Sequence, residues 1–280
     1  MTNRFIVPKW LKEHLFEYSS IEDIPKNQLE KIKTNLAKFS NLNPEVSIVM
    51  PVWNEEQNII KTLSSISQNK SNYKCELIII NNKSTDNTQK ILDYFNIHTI
   101  QENKQGISFA RQTGLENAKG KFHLCVDGDT LYPPNWIDAM VEPLKEKKIT
   151  CVCAKHSFIP INSSHVILGL YELAAEFLFA IRNRHRKYLN VLGFNFGFRT
   201  EDAKKAGGFN ISRPRWSDGW MAMSLMESGE IYIIKSETAR TWTSARRLLA
   251  DGSLTKAFMK RIKKEITRIK EYVTNPQIKK

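Results

Sequence analysis

Short apolar runs alternate with amphipathic segments in the first half of the chain. The apolar runs occupy residues 46–52, 76–80, 97–100 and 121–126, and each is predicted to be a strand, the first of them buried and the third short. Between them, helical spacing of apolar residues covers 55–68 and 106–119, and the Ser-Thr-Asp-Asn sequence at 84–87 is typical of a helix start. Strands that alternate with helices predict an α/β fold with a Rossmann-like, mostly parallel sheet flanked by helices.

Polar residues follow three of the predicted strands. The first strand ends at Pro51–Trp53, Asn81 and Asn82 follow the second, and Asp127 and Asp129 follow the fourth. The connection rules bring the carboxyl ends of parallel strands to one edge of the sheet, which is where open α/β sheets bind ligands. We therefore expect these side chains to converge.

The sequence Asp127-Gly128-Asp129 places two carboxylates one residue apart at that edge. Carboxylates are hard oxygen ligands, and such a pair can hold a divalent cation together with a nucleotide diphosphate. The triplet alone is a weak signal, because most Asp-Gly-Asp sequences are solvated turns.

The second half of the chain has a different pattern. An apolar helix is predicted over 165–181, followed by basic residues at 182–187, a Gly- and Phe-rich passage at 193–198 and a helix that starts near Asp218. A P-loop and a dinucleotide-binding GxGxxG are both missing from the sequence, which argues against the two commonest nucleotide-binding folds.

Composition supports a globular protein. Of 280 residues, 41% are hydrophobic, which is ample for a packed core. The amino end has no signal-peptide core and no apolar stretch is long enough to span a bilayer, so a cytoplasmic location is expected. The four cysteines are expected to pack as small hydrophobic residues, with Cys151 and Cys153 on one face of a strand.

Most of the formal charge of +13 lies at the carboxyl end. Residues 246–280 contain eleven Lys or Arg against three Asp or Glu, a net of +8, and apolar residues from Leu254 to Val273 recur at helical steps. This basic amphipathic helix either lies on an anionic membrane surface or packs its apolar stripe on the domain. Nucleic-acid binding is not expected, because no recognition motif accompanies the charge.

Several motifs occur in an order that resembles the family 2 glycosyltransferases, which are inverting enzymes with the A-type glycosyltransferase fold. They cover residues 45–245 and read VSIVMPVWNEE at 46–56, NKSTDNT at 82–88, GISFARQTGLENAKG at 106–120, DGDT at 127–130, GGFN at 207–210 and DGWMAMSLMESG at 218–229. From the pattern, residues 1–44 are expected to form a helical extension interrupted by Pro25, and residues 246–280 the basic helix. Between them the resemblance implies a nucleotide-sugar-binding half at 45–155 and a fused acceptor-binding and catalytic-base half at 156–245.

The resemblance also implies roles for the residues at the sheet edge. Pro51 and Trp53 would meet the nucleotide base, Glu55 would lie near the ribose, and Arg111 would contact the nucleotide. Asn81 stands where relatives commonly have an aspartate that binds uracil, and an amide oxygen can still accept that hydrogen.

For the acidic triplet, the implied ligand is Mn²⁺ or Mg²⁺. Asp127 would face the ribose and the metal, and Asp129 would bind the metal directly. A metal there would neutralise charge on the departing nucleoside diphosphate.

Asp218 is the candidate catalytic base. Inverting transfer needs a carboxylate that takes the proton from the acceptor hydroxyl, and relatives usually have Glu-Asp where this chain has Ser217-Asp218. The alternative is that Asp218 only caps its helix.

A histidine that completes the metal shell in many relatives is missing from residues 238–247. Arg246 and Arg247 are instead hypothesised to hold phosphate oxygens.

The predicted function is sugar transfer from a nucleoside-diphosphate donor, UDP-linked by preference, to a glycan or lipid-linked acceptor in cell-surface polysaccharide or glycoconjugate synthesis. The alternatives are a nucleotidyltransferase and a non-catalytic nucleotide-sugar-binding or scaffold protein. Donor sugar, acceptor and linkage are not encoded legibly.

Overall fold

A computed structural model describes residues 7–159, 173, 176, 179–184, 186–212, 216–246 and 263. Its centre is a seven-stranded sheet with the order β3-β2-β1-β4-β8-β6-β9. The strands of this sheet are β1 (Val46–Val52), β2 (Cys75–Asn81), β3 (Thr99–Gln101), β4 (Phe122–Cys125), β6 (Ile149–Ala154), β8 (Phe196–Arg199) and β9 (Glu230–Ile234).

The central sheet is mostly parallel. β1 pairs in parallel with β2 and β4, β2 with β3, and β6 with β9, whereas β8 runs antiparallel to both β4 and β6. This confirms the predicted α/β class. β8 and β9, from the second half of the chain, lie in the same sheet as β1 to β4, so the sheet itself does not divide near residue 155. The functional division into a donor half and an acceptor half stays a prediction.

Helices pack against both faces of the central sheet. They are α1 (Lys9–Lys12), α2 (Lys26–Leu36), α3 (Ile59–Ser67), α4 (Thr88–Tyr94), α5 (Ile107–Asn117), α6 (Trp136–Val141), α7 (Thr200–Lys205) and α8 (Ser217–Leu225). The helix expected from residue 55 begins at Ile59. The intervening residues form a turn in which the carbonyl of Glu55 accepts from the N–H groups of Asn58 and Ile59 at 2.9 and 2.8 Å.

The amino-terminal segment packs against the core. Leu29, Ile32 and Leu36 of α2 are buried in the same cluster as the side chains of β1 and α3. The Lys38 ammonium group donates to the carbonyls of Ser67 and Asn69 at 2.8 and 2.7 Å, and so satisfies the carboxyl end of α3. Residues 7–44 are therefore an integral part of the domain.

A second sheet contains β5 (Thr130–Leu131), β10 (Thr241–Thr243) and β7 (His156–Phe158), with β10 in the middle. β10 is antiparallel to β5, with Thr243 opposite Thr130. Because β5 directly follows the acidic triplet, this pairing brings the chain after β10 to Asp129, whose carbonyl accepts from the Ser244 N–H at 3.0 Å.

The four cysteines are buried and free, and Cys151 and Cys153 lie on β6 within one apolar cluster, as predicted. The helix predicted over 165–181 and the basic helix after residue 246 lie almost entirely outside the described residues. Among the helices that are described, none has the length and apolar character needed to cross a membrane.

Candidate functional site

The carboxyl ends of β1, β2 and β4 open into a cleft of about 820 Å³. Its lining includes Pro51, Trp53, Glu55, Asn82, Arg111 and Asp127. The structure thus brings together most of the residues that the motifs singled out, at the edge of the sheet where they were expected.

Trp53 is an exposed aromatic ring in this cleft. It is 56% exposed, so its planar apolar face is open to a molecule in the cleft. The next residue, Asn54, has φ 54° and is held to the loop after β2, where its backbone N–H donates to Ser84 Oγ at 3.0 Å and its side-chain oxygen accepts from the Thr85 N–H at 2.8 Å. The turn that carries Trp53 is therefore fixed.

Pro51 lies where β1 loses one of its neighbours. The pairing of β1 with β4 ends at Val49 opposite Cys125, two residues earlier, whereas the pairing with β2 continues to Val52. A proline has no N–H to donate, so it fits at the position where the ladder on one side stops. The strands separate there, and the cleft begins.

The two asparagines at the carboxyl end of β2, Asn81 and Asn82, have hydrogen-bond partners within the protein. Asn82 donates to the carbonyls of Glu102 and Lys104 at 3.1 and 2.8 Å and accepts from the Gly106 N–H at 2.7 Å, so it holds the loop before α5.

Asn81 is not among the residues that line the cleft. Its side chain donates to Gln89 at 2.8 Å and accepts from the Ser84 N–H at 3.0 Å. Its predicted contact with the base stays a prediction that rests on the second lone pair of the amide oxygen.

The acidic loop after β4 is held by hydrogen bonds at Asp127 and at Gly128. The N–H of Asp127 donates to the Tyr132 hydroxyl at 2.9 Å, and that hydroxyl donates to the Phe194 carbonyl at 3.0 Å. Thr62 of α3 donates to the Gly128 carbonyl at 2.9 Å. The two aspartates therefore project from a rigid turn.

Arg111 joins this loop to the start of α8. Its side chain is buried, and its two terminal nitrogens contact Asp127 Oδ1 at 3.5 Å and Ser217 Oγ at 2.8 Å. Burial disfavours the charged guanidinium, but the carboxylates of Asp127 and Asp218 keep the pKa of Arg111 above its usual value. Arg111 is thus a charged link between the acidic loop and the first turn of α8.

Asp218 lies half-buried in the first turn of α8. One carboxylate oxygen accepts from the Gly193 N–H at 2.7 Å and the other from its own neighbour, the Gly219 N–H, at 3.0 Å. A Cβ on Gly193 would lie 1.6 Å from the Arg111 guanidinium, so the backbone here lies directly against that charge. The geometry orients the Asp218 carboxylate towards the loop that covers Arg111.

Glu55, Asp129 and Arg246 form a second charged cluster at the cleft. The Arg246 guanidinium contacts the Glu55 carboxylate and lies 3.1 Å from Asp129 Oδ2. Burial raises the pKa of Glu55 to about 7, and the nearby Asp129 adds to the rise, while the hydrogen bond from Arg246 opposes it. In the structure Arg246 is paired with two carboxylates, and its hypothesised contact with phosphate stays a prediction. Arg247 lies outside the described residues.

The acidic triplet offers only part of a metal shell. No group of three or more His, Cys, Asp and Glu side chains that could hold an ion occurs in the described parts of the chain. Asp127 and Asp129 nevertheless supply hard oxygen atoms, and Mg²⁺ commonly binds through one or two carboxylates, substrate phosphates and water. The residues fit a divalent cation that arrives with a nucleotide diphosphate.

Sequence reasoning missed several supports of the site. Tyr132, Thr62 and Gly193 position the aspartates through single hydrogen bonds, and no motif marks them. Thr62 contacts Gly128, Tyr132 contacts Phe194 and Gly193 contacts Asp218, and these pairs lie 66, 62 and 25 positions apart in the sequence. Short sequence motifs do not reveal contacts over such distances.

Comparison with known proteins identifies relatives of the chain. The sequence profile described as Glycosyl transferase family 2 matches residues 47–207, more than half of the chain. Glycosyltransferase AglE of Haloferax volcanii is 32% identical over 108 residues, 36% of each protein. An Escherichia coli protein, UDP-Glc:alpha-D-GlcNAc-diphosphoundecaprenol beta-1,3-glucosyltransferase WfgD, is 22% identical over 236 residues, 82% of this chain and 87% of that protein.

Solved structures share the fold. The mannosyltransferase PcManGT of Pyrobaculum calidifontis, in complex with GDP-Man and Mn²⁺, gives a TM-score of 0.56 at 19% identity, over 88% of this chain and 76% of that one. Glucosyl-3-phosphoglycerate synthase of Mycobacterium tuberculosis, in complex with Mn²⁺, UDP-Glc and phosphoglyceric acid, gives 0.54 at 18% identity, over 91% and 87%. These likenesses and the sheet order confirm the predicted fold. The matched profile confirms the predicted family: the chain belongs to glycosyl transferase family 2.

Proposed function

We propose that the protein is an inverting glycosyltransferase that moves a sugar from a nucleoside-diphosphate donor to a hydroxyl group. The observation that carries this proposal is the buried Arg111, which connects Asp127 at the donor cleft with the turn of α8 that bears Asp218. One buried guanidinium thus holds Asp127 and the helix turn that carries the candidate base, which suits a reaction between two substrates.

The donor is a nucleotide-sugar bound in the cleft lined by Pro51, Trp53, Glu55, Arg111 and Asp127. The exposed Trp53 ring offers a planar face to a base. Nucleotide-sugars with uridine and with guanosine are both present in structures that share the fold. A UDP-sugar is our first choice, with the amide oxygen of Asn81 as acceptor for the uracil N–H.

Asp127 and Asp129 would hold a divalent cation, Mn²⁺ or Mg²⁺, together with the diphosphate. When bound, such a cation supplies positive charge next to the leaving phosphates. Solved structures with this fold contain Mn²⁺, which supports a divalent metal here.

Asp218 would act as the base. It takes the proton from the acceptor hydroxyl while that oxygen bonds to the anomeric carbon and the bond from this carbon to the diphosphate breaks, with inversion. The Gly193 and Gly219 N–H groups orient its carboxylate before the acceptor arrives. The carboxylates of Asp127 and Asp218 in turn keep the Arg111 guanidinium charged despite its burial.

A panel of nucleotide-sugars tests this proposal through release of nucleoside diphosphate. Asp218→Asn is expected to lower turnover by on the order of 10²–10⁴-fold while affinity for UDP stays within a factor of about two. The matched control is Asp93→Asn, which makes the same substitution at an exposed position of α4. Donor binding without turnover by the parent protein would favour the non-catalytic alternative, and release of pyrophosphate would favour a nucleotidyltransferase.

The acceptor is proposed to be a glycan or a lipid-linked glycan in cell-surface polysaccharide or glycoconjugate synthesis. One relative, WfgD, is named for a lipid-diphosphate-linked acceptor. The excess of Lys and Arg after residue 246 would favour an anionic membrane surface.

Vesicle co-sedimentation tests the membrane contact. Replacing Lys256, Lys260, Lys263 and Lys264 by Gln is expected to reduce binding to vesicles that contain phosphatidylglycerol. The control replaces Lys9, Lys12, Lys26 and Lys31 by Gln, so both variants have the same net charge but lose it from different parts of the chain. Equal binding by both variants would reject a specific role for the carboxyl-terminal lysines.

A further inference from the structure

Arg246 lies between two acidic side chains of the site. Its guanidinium contacts Glu55 and Asp129 at once, and it lines both the donor cleft and a neighbouring cleft of about 430 Å³ that Asp129 also lines. The two carboxylate side chains are only 8% and 7% exposed, whereas that of Arg246 is 38% exposed. The acidic side chains therefore lie in the interior, and the cation lies on the solvent-facing side.

The fold explains why Arg246 reaches Asp129. Residues 244–246 directly follow β10, and β10 is paired with β5, which directly follows Asp129. The Thr130 hydroxyl donates to Thr243 Oγ1 at 2.9 Å, and the Ser244 N–H donates to the Asp129 carbonyl at 3.0 Å. These two contacts, together with the pairing of β10 and β5, fix the backbone that carries the guanidinium.

Two nearly buried carboxylates at one place need a counter-charge, because uncompensated charge in a protein interior is costly. Arg246 provides it in the described structure. A divalent cation that comes to Asp129 would meet a group of the same sign that is already bound to Oδ2. Arginine cannot lose its proton to make way, so it has to move.

We propose that Arg246 is an internal counter-cation that competes with the divalent metal for Asp129 and so sets the affinity of the site for metal. When metal binds, Arg246 leaves Asp129 and stays paired with Glu55. Arg246 is a positioning residue in this scheme. The inference rests on the proposed role of Asp127 and Asp129 in metal binding, but it does not depend on sugar transfer.

Electron paramagnetic resonance of free Mn²⁺ tests the competition without any turnover. Binding is measured with Mn²⁺ alone and with Mn²⁺ plus UDP. Arg246→Met is expected to tighten Mn²⁺ binding by on the order of tenfold, because it removes both the competing contact and the repulsion between like charges. Lys104→Met, near the other rim of the cleft, removes the same charge away from the two carboxylates and should leave Mn²⁺ affinity within about twofold.

A double-variant cycle locates the effect at Asp129. In an Asp129→Asn background, Arg246→Met should bring no gain in Mn²⁺ affinity, because the contested ligand is gone. Arg246→Lys, which keeps the charge and loses the planar fork, should fall between the parent and Arg246→Met, and it remains informative if the methionine variant is unstable.

Three results would overturn the proposal: unchanged or weaker Mn²⁺ binding in Arg246→Met, an equal gain in Lys104→Met, or a gain that persists without Asp129. Failure of the glycosyltransferase proposal would appear separately, as an absence of nucleoside-diphosphate release from a protein that binds Mn²⁺ as expected.

Discussion

At the level of single residues, two guanidinium groups organise the charged side chains of the cleft. Arg111 is set between Asp127 and Ser217, and Arg246 between Glu55 and Asp129. Motifs in the sequence identified the aspartates and Arg111. They did not identify the partners of Arg246, because that contact depends on pairing between strands whose facing residues are 113 positions apart.

The raised pKa of Glu55 has a consequence for stability. In the unfolded chain this carboxyl loses its proton near its ordinary pKa of 4.5, whereas in the folded protein it keeps the proton to about pH 7. Between these values the folded state binds more protons, so stability falls as the pH rises through that window. We expect the decrease in unfolding free energy across this pH window to be smaller by about 1–3 kcal/mol in Glu55→Gln than in the parent.

The measurement is urea unfolding of the parent and of Glu55→Gln at several pH values from 4.5 to 8. Glu116→Gln, an exposed change on α5, is the control. A difference in unfolding free energy between parent and Glu55→Gln that does not change with pH would show that Glu55 titrates alike in the folded and unfolded chain.

At the level of elements, the long apolar strands were the easiest to predict. The run at 46–52 coincides with β1, because seven buried residues in succession leave little choice of boundary. The strands of the second sheet could not be predicted in this way. β5 has two residues and β10 has three, which is too short for any period to show.

Helix α5 approaches the sheet more closely than most residues would permit. A Cβ on Gly114 would lie 2.3 Å from Val49 Cγ1 and 3.4 Å from Ile80 Cγ1. Gly114→Ala adds about 1 kcal/mol of helix propensity, but it also forces α5 away from two fully packed strands. We expect the clash to dominate and to lower the unfolding free energy by about 1–3 kcal/mol.

Urea unfolding of Gly114→Ala tests this close packing, with Glu116→Ala on the exposed face of the same helix as control, expected within about 0.5 kcal/mol of the parent. Because Arg111 lies on α5 one turn earlier, the same variant should also weaken UDP binding. Unchanged stability and unchanged UDP affinity would contradict the prediction, because they would show that α5 accommodates the added methyl group without loss of packing energy.

At the level of the whole molecule, the donor cleft and the acidic loop belong to one continuous sheet edge. The α/β class followed from the alternation of strands and helices, and the family from the order of the motifs. The insertion of β8 between β4 and β6 was not predicted. Phe194, Phe196 and Phe198 do alternate with other residues as in a strand, but such a pattern does not indicate which strands it lies between.

A ligand that binds only the folded protein stabilises all of it. UDP with Mn²⁺ at a hundred times the dissociation constant should raise the unfolding free energy by about 2.7 kcal/mol and increase the melting temperature accordingly. Uridine with Mn²⁺ should give a much smaller increase, because it lacks the diphosphate. Differential scanning calorimetry measures both, and equal shifts would argue against a diphosphate site.

The way the amino-terminal segment packs bears on how this protein can be shortened. A fragment cut to the family match at 47–207 would lose Lys38, which caps α3, the buried side chains of α2, and the edge strand β9. It would also lose Arg246. Boundaries taken from sequence similarity alone would therefore yield a chain with an open core and an incomplete ionic cluster, and an assay on it would report on damage from truncation.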